Sequence, residues 1–327
     1  LKLSFRRLLE VVCAVMRHLV AWDGSDLSTL GLRACLRVLA SSGCEVVIFH
    51  VTNQGRYGDS EDFRPQALQA RLVEELTHAQ DGLRVLVEKE GAFVDAPEGA
   101  PLTVHEKHAG TKQKISQRIV EFAALADADC LVMGGTGTKE AESKAFQETQ
   151  LGSSAHLAAH TAPCPVVLIR PGYQVDPKVK TVFMVAVDGS EHSLHAMDLC
   201  ASWAREGTDE VVCHVFGPPE FTQPVEDLCT ERLQAVMAAK KVQYAVIANE
   251  LDADVAEAGE EMTETARACR FKTQAFLVFG ARGKDAKEEE EAPLGHVANW
   301  CIKSAECSLI IVRPKLRPGQ MARPVTR

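Results

Sequence analysis

The chain has 327 residues, 46% of them hydrophobic and 25% charged, with a formal net charge of −9. That length exceeds one ordinary domain and predicts two. The acidic balance argues against a nucleic-acid or anionic-membrane surface, because such partners reward clustered Lys and Arg. No run approaches the roughly 20 apolar residues of a membrane span. The 11 cysteines stand singly without a CxxC pair, which points to reduced, buried thiols in a cytoplasmic setting rather than a disulfide scaffold.

Residues 1–15, "LKLSFRRLLEVVCAV", are basic and apolar. They read as an N-terminal extension, either an organelle-targeting segment or a stretch that merely precedes Met16. A strand is expected at 18–22, then Asp-Gly-Ser, a helix over 27–41 and a strand over 45–51. Leu68, Leu72, Leu76, Ala79, Leu83 and Leu86 form a helical stripe. It predicts one long helix over 65–90, despite Gly82, in preference to a strand at "LRVLVEK" from Leu83. A strand at 101–107, a helix over 112–126, a strand at 130–134, a helix over 153–161 and a strand at 166–170 complete the first half. "PGYQVDPKVK" from Pro171 has two prolines and no apolar face, so it reads as a connector. Strands follow at 181–187, 210–216, 242–248, 275–280 and 308–312. The tail 315–327 carries Lys315, Arg317, Arg323 and Arg327 with no acid and reads either as a disordered tail or as a segment that orders on an acidic protein partner.

The chain is one unit written twice. "HLVAWDGSDLSTLGLRACLRVLA" from His18 matches "FMVAVDGSEHSLHAMDLCASWA" from Phe183, and "CEVVIFHV" from Cys44 matches "DEVVCHVF" from Asp209. "DCLVMGGTG" from Asp129 matches "AFLVFGARG" from Ala275, and "LGSSAHLAAHTAPCPVVLIRP" from Leu151 matches "LGHVANWCIKSAECSLIIVRP" from Leu294. Short apolar runs alternating with helical-period stretches are the pattern of parallel strands joined by crossover helices. The expected class is therefore α/β: two tandem Rossmann-like domains, each a five-stranded parallel sheet flanked by helices. The first covers 16–173 and the second 181–314, with 174–180 as linker.

Three pieces of each copy would reach the carboxyl edge of such a sheet: Asp-Gly-Ser after the first strand, GxxG after the fourth, and the Gly before the last helix. Glycines there let a phosphate approach the backbone, and helix-start amides favour an anion. Ser153 could cap that helix or donate to a phosphate. His50 with His214, Cys35 with Cys200, and Cys164 with Cys307 recur at matched positions and read as core packing. No nucleophile, base and orienting group form a recognisable catalytic motif, and no metal-ligand spacing appears.

Asp after strand one, "VMGGTG", "LGSSA" and "APCPVVLIRP" together resemble the universal stress protein family in tandem form. The resemblance implies an adenine nucleotide, ATP or AMP and with Mg as an option, held in each copy. In the first, Ala21, Trp22 and Asp23 would lie near adenine and ribose, Val51 beside the base, and Met133, Gly134, Gly137, Gly152 and Ser153 around ribose and phosphates. In the second the matching set is Asp188, Val215, Phe279, Gly280, Arg282, Gly283 and Gly295. Family members dimerise through the last strand, so the resemblance also implies that the two copies pair with each other about a pseudo-twofold axis.

The copies depart from the family pattern. The stretch between GxxG and the next Gly is longer than in nucleotide-binding members, fourteen residues (138–151) in copy one and eleven (284–294) in copy two. Copy one has Thr136 where copy two has Arg282, and copy two has His296 in place of the loop hydroxyl. Lys139 and Lys144 against Glu288 to Glu291 rank copy one as the better triphosphate site. Three functions remain: a nucleotide-binding regulatory protein without defined catalysis, a non-catalytic scaffold subunit with degenerate sites, and a slow ATP hydrolase.

Overall fold

The computed structural model describes residues 16–41, 43–52, 65–77, 84–88, 105–108, 115–136, 151–250, 255–270, 274–283 and 294–313. The first half runs β1 (Arg17–Ala21), α1 (Asp26–Ala34) continuing into a π-helical turn (Cys35–Leu39), β2 (Glu45–Thr52), α2 (Pro65–Leu76), β3 (Arg84–Glu88), β4 (His105–His108), α3 (Ile115–Leu125), β5 (Cys130–Gly134), α4 (Ser153–Thr161) and β6 (Val166–Ile169). The second runs β7 (Thr181–Val187), α5 (Glu191–Trp203), β8 (Glu210–Gly217), α6 (Pro219–Lys240), β9 (Gln243–Glu250), α7 (Val255–Arg270), β10 (Gln274–Gly280), α8 (His296–Ser304) and β11 (Ser308–Val312).

The long helix expected over 65–90 is two elements. α2 stops at Leu76 and β3 begins at Arg84. The leucine spacing fits a helix, but Val85, Leu86 and Val87 pair in parallel with Val46, Val47 and Ile48 of β2. A ladder partner outweighs a periodicity that Gly82 already weakens. The strand expected at 101–107 lies at His105–His108 and pairs with the second half of β2, from Phe49 to Thr52. The outer position of the first sheet is thus filled by two short strands end to end, where a single fifth strand was expected.

Strand order is β3-β2-β1-β5-β6-β11-β10-β7-β8-β9, with β4 also on β2. Every neighbouring pair is parallel except β6–β11, so the two halves share one sheet across an antiparallel seam. There Leu168 faces Leu309, Val167 faces Ile310 and Val166 faces Ile311. Because Leu151 aligns with Leu294, Val167 faces its own counterpart and its neighbours exchange places, the register a local twofold axis requires. All six of these side chains are fully buried, each contributing about 1.5–3 kcal/mol by leaving water.

Helices cover both faces of the sheet. Leu32, Leu36, Leu72, Met197, Cys200, Cys229 and Leu233 bring α1, α2, α5 and α6 onto one face. Phe122, Ala158, Met262, Ala298 and Cys301 bring α3, α4, α7 and α8 onto the other, where Phe122 stacks on Phe49 of β2 at 4.1 Å. The repeated cysteines Cys35, Cys200, Cys164 and Cys307 are buried in these layers and form no disulfide. The connector is pinned rather than loose. Arg205 donates to the carbonyls of Pro177 (2.6 Å) and Val179 (2.9 Å), while its guanidinium grips the buried carboxylate of Asp209 at 2.7 Å. Among the described residues no helix is long and apolar enough to cross a membrane.

Candidate functional site

In each half the chain leaves β1 (or β7) toward one side of the sheet and returns on the other through β5 (or β10). The carboxyl ends of these two adjacent strands are the point where crossovers diverge and ligands gather in open α/β sheets. Asp23 and Gly134 flank that point in the first half, Asp188 and Gly280 in the second.

Both aspartates are held the same way. Asp23 Oδ1 accepts the Ser25 amide at 3.0 Å, and Asp188 Oδ1 accepts the Ser190 amide at 3.0 Å. Gly24 and Gly189 turn the chain with φ of 80° and 74°, a conformation costly for a side-chain-bearing residue. Ser25 and Ser190 then cap α1 and α5, accepting from the amides of Ser28 and Ser193. The hydroxyls of Ser28 and Ser193 reach back to accept the Asp23 and Asp188 amides, each at 3.3 Å. Asp-Gly-Ser thus builds a tight turn before each helix, and that turn also fixes the direction of each carboxylate.

The glycine segments are equally matched. Past β5, the Gly135 amide donates to Ile169 O at 2.8 Å and the Gly152 amide donates to Gly135 O at 2.8 Å. Past β10, Ala281 donates to Val312 O and Gly295 to Ala281 O, both at 2.8 Å. Gly152 and Gly295 are the N-caps of α4 and α8, so the positive end of each helix dipole sits against the strand end that its aspartate flanks. Ser153 is the first residue of α4 and exposed, so it is not the cap; that place belongs to Gly152.

The other expected site residues divide into floor and rim. Ala21, Met133 and Phe279 are buried on the α3, α4, α7 and α8 face, while Trp22 and Val215 are buried on the opposite face. Trp22 turns toward α1, its indole N–H donating to Thr29 Oγ1 at 3.1 Å, and its carbonyl meets His50 Nδ1 at 2.7 Å. His50 and His214 are both buried, but they are not the counterparts expected: Phe49 stands beside Ala21 where His214 stands beside Ala186, so His50 answers to Val215 and the two imidazoles sit one residue out of register. Arg282 is half-buried and Gly283 exposed at the rim. A Cβ on Gly283 would lie 2.8 Å from Asp188 Oδ2, so the second rim closes directly over its carboxylate. Gly137, the side chain of Val51, and the loops with Lys139, Lys144 and Glu288 to Glu291 lie outside the described residues, as do residues 1–15 and 315–327.

The two rims differ in charge. Gly134 packs against the Leu27 backbone, whereas Gly280 packs against His192, and Thr136 in the first half answers to Arg282 in the second. Burial pushes the His192 pKa below its ordinary value, with the nearby Arg313 and Arg282 adding to the effect. Sequence reasoning passed over Ser25, Ser28, Ser190 and Ser193, although both copies spell Asp-Gly-Ser followed by a Ser three residues on. It also passed over Arg170 and Arg313, which open the repeated Arg-Pro after each last strand. Among the described residues no group of three or more potential metal ligands occurs.

The fold has solved counterparts. A protein of Pseudomonas aeruginosa UCBPP-PA14 described as a universal stress protein is 16% identical, covers 93% of this chain and 95% of its own, and superposes with a TM-score of 0.54. A universal stress protein of Archaeoglobus fulgidus is 12% identical, covers 91% of this chain and 98% of its own, with a TM-score of 0.56. At these identities the likeness is one of fold. No curated protein gives a significant match to the chain. The model of the Universal stress protein family matches residues 15–170 and again 181–313, so the chain belongs to that family and carries its domain twice.

Proposed function

We propose that the chain is an adenine-nucleotide-binding regulatory protein of the stress-protein class, without defined catalysis. The observation that carries this reading is the duplicated switch-point geometry. In each half a carboxylate locked by the amide two residues later stands beside a strand end folded onto a helix N-cap. A fixed carboxylate suits ribose hydroxyls, which donate to it. A capping glycine with an adjoining helix dipole suits the phosphates. Asp23 with Gly134, Gly152 and Ser153 would form one site; Asp188 with Gly280, Arg282, Gly283 and Gly295 would form the other.

Two charge arguments rank the sites in opposite order. The loop lysines of copy one and the glutamate run of copy two favour the first half, while Arg282 against Thr136 favours the second. Native mass spectrometry of the full chain with ATP and with AMP tests both function and ranking. The expected result is bound adenine nucleotide, with Asp23→Asn and Asp188→Asn each removing one equivalent. At an ATP concentration of about 100 times Kd, each occupied site should add about 2.7 kcal/mol to the stability of the folded chain. No bound nucleotide and no thermal shift in excess Mg-ATP would refute the reading.

A further inference from the structure

Arg170 and Arg313 close each half's last strand, yet each reaches into the other half. Arg170 Nη2 donates to Ile302 O in the last turn of α8 at 2.6 Å, and Arg313 Nη2 donates to Ala159 O in the last turn of α4 at 2.6 Å. Ala159 and Ile302 occupy the same place in their helices, so the exchange is reciprocal about the seam. Arg170 is almost fully buried, and burial pushes both guanidinium pKa values down to about 10 while leaving them charged at neutral pH. Burying a cation is costly unless hydrogen bonds compensate it, and these two carbonyls supply such bonds across the seam.

These contacts complete a ring. The Arg170 side chain passes under the first glycine segment, its Cδ 3.7 Å from where a Gly135 Cβ would stand, and then holds α8, the helix whose cap Gly295 is bonded to the second segment through Ala281. From Ala281 the ring continues through Val312 to Arg313, on to α4, and through its cap Gly152 back to Gly135. We propose that Arg170 and Arg313 are positioning residues, each setting the helix N-terminus and glycine segment of the opposite half, so that the two clefts respond to ligand as a coupled pair. The coupling of ligands rests on the nucleotide reading above; the positioning does not. An anion drawn onto one helix cap would shift that helix along its axis, and the arginine at its far end would carry the shift to the strand end that supports the other cleft.

Hydrogen–deuterium exchange on the nucleotide-free full chain tests the positioning. Arg313→Met should raise exchange of the segments 130–136 and 151–156 by about 5-fold or more, the lower end of typical coupling factors, with β8 and β9 unchanged. Arg170→Met should do the same at 275–283 and 294–299. A rise confined to 157–162 or to 300–305, the helix ends that the arginines touch, would mean a merely local role and overturn the proposal. Should a methionine variant fold poorly, Arg→Lys at the same position keeps the charge but not the reach, and must show the same distribution at smaller amplitude. Titration with Mg-ATP then reads the coupling: each site's affinity in wild type should differ about 5-fold or more from its affinity when the other site is removed by Asp23→Asn or Asp188→Asn, and the difference should vanish in the double methionine background. Absence of any ATP binding would defeat the nucleotide reading alone, whereas two independent sites in wild type would defeat the coupling alone.

Discussion

His18 makes acid sensitivity a measurable consequence of this fold. It lies on β1, fully buried, with its ring 5.7 Å from that of Trp203 at the end of α5. Neither ring nitrogen finds a hydrogen-bond partner among the described residues. Burial pushes its pKa down from 6.5 to about 4, against a smaller opposing pull from Asp129. The unfolded chain therefore binds this proton first, and the contribution of His18 to stability is intact above pH 6.5 and lost as pH falls from about 6.5 toward 4. The gap corresponds to a loss of about 2 kcal/mol at pH 5 and about 3 kcal/mol by pH 4, a sizeable fraction of the roughly 5–15 kcal/mol that holds a typical domain. Burial also lowers the pKa values of His160, His192, His195 and His214, so the absolute curve for wild type contains their terms as well. The difference from His18→Leu isolates the one group. Urea unfolding followed by tryptophan fluorescence at pH 7.5, 6 and 5 should show the variant losing about 2 kcal/mol less than wild type over that range. Parallel losses in the two proteins would refute the burial argument.

Asp209→Asn leaves the half-buried Arg205 against a neutral amide and should cost about 1.5–3 kcal/mol in urea unfolding, the worth of a hydrogen bond to a charged group, with new proteolytic cleavage near 176–179 as the connector is released. An unchanged midpoint would show that the ion pair does not pin the connector. Gly259→Ala sets helix propensity against packing: alanine would gain about 1 kcal/mol in a helix interior, but its Cβ would stand 2.4 Å from Trp300 Cδ1. The melting temperature should therefore fall, and a rise would mean that α7 and α8 do not pack this closely. Gly283→Val puts a branched side chain onto Asp188 at an exposed rim, so it should abolish ATP binding in the second half while the melting temperature of the ligand-free protein stays within about a degree. Retained stoichiometry would move the site elsewhere.

Much of this arrangement was legible before any coordinates. The repeat carried the two-domain reading, and alternation of apolar runs with helical periods placed β5, β7, β11 and α4 at their observed bounds. Short, fully buried parallel strands announce themselves because both faces must be apolar. Residues 65–90 misled because leucines every three or four positions satisfy a helix, while Val85 to Val87 satisfy a strand equally well; only the presence of β2 alongside settled the choice. At the site, Asp-Gly-Ser and the paired glycines could be read locally because a turn with positive φ and a helix cap are decisions made within four or five residues.

What the amino-acid order determined by itself was everything set by near neighbours: the turns, the caps, the strand cores and the fact of duplication. Which residues stand across from one another was decided only in three dimensions. The seam pairs Val167 with Ile310, and Arg170 and Arg313 reach helices more than a hundred residues away. A contact of that kind leaves no periodic trace, because its partner is chosen by sheet order and burial rather than by spacing along the chain.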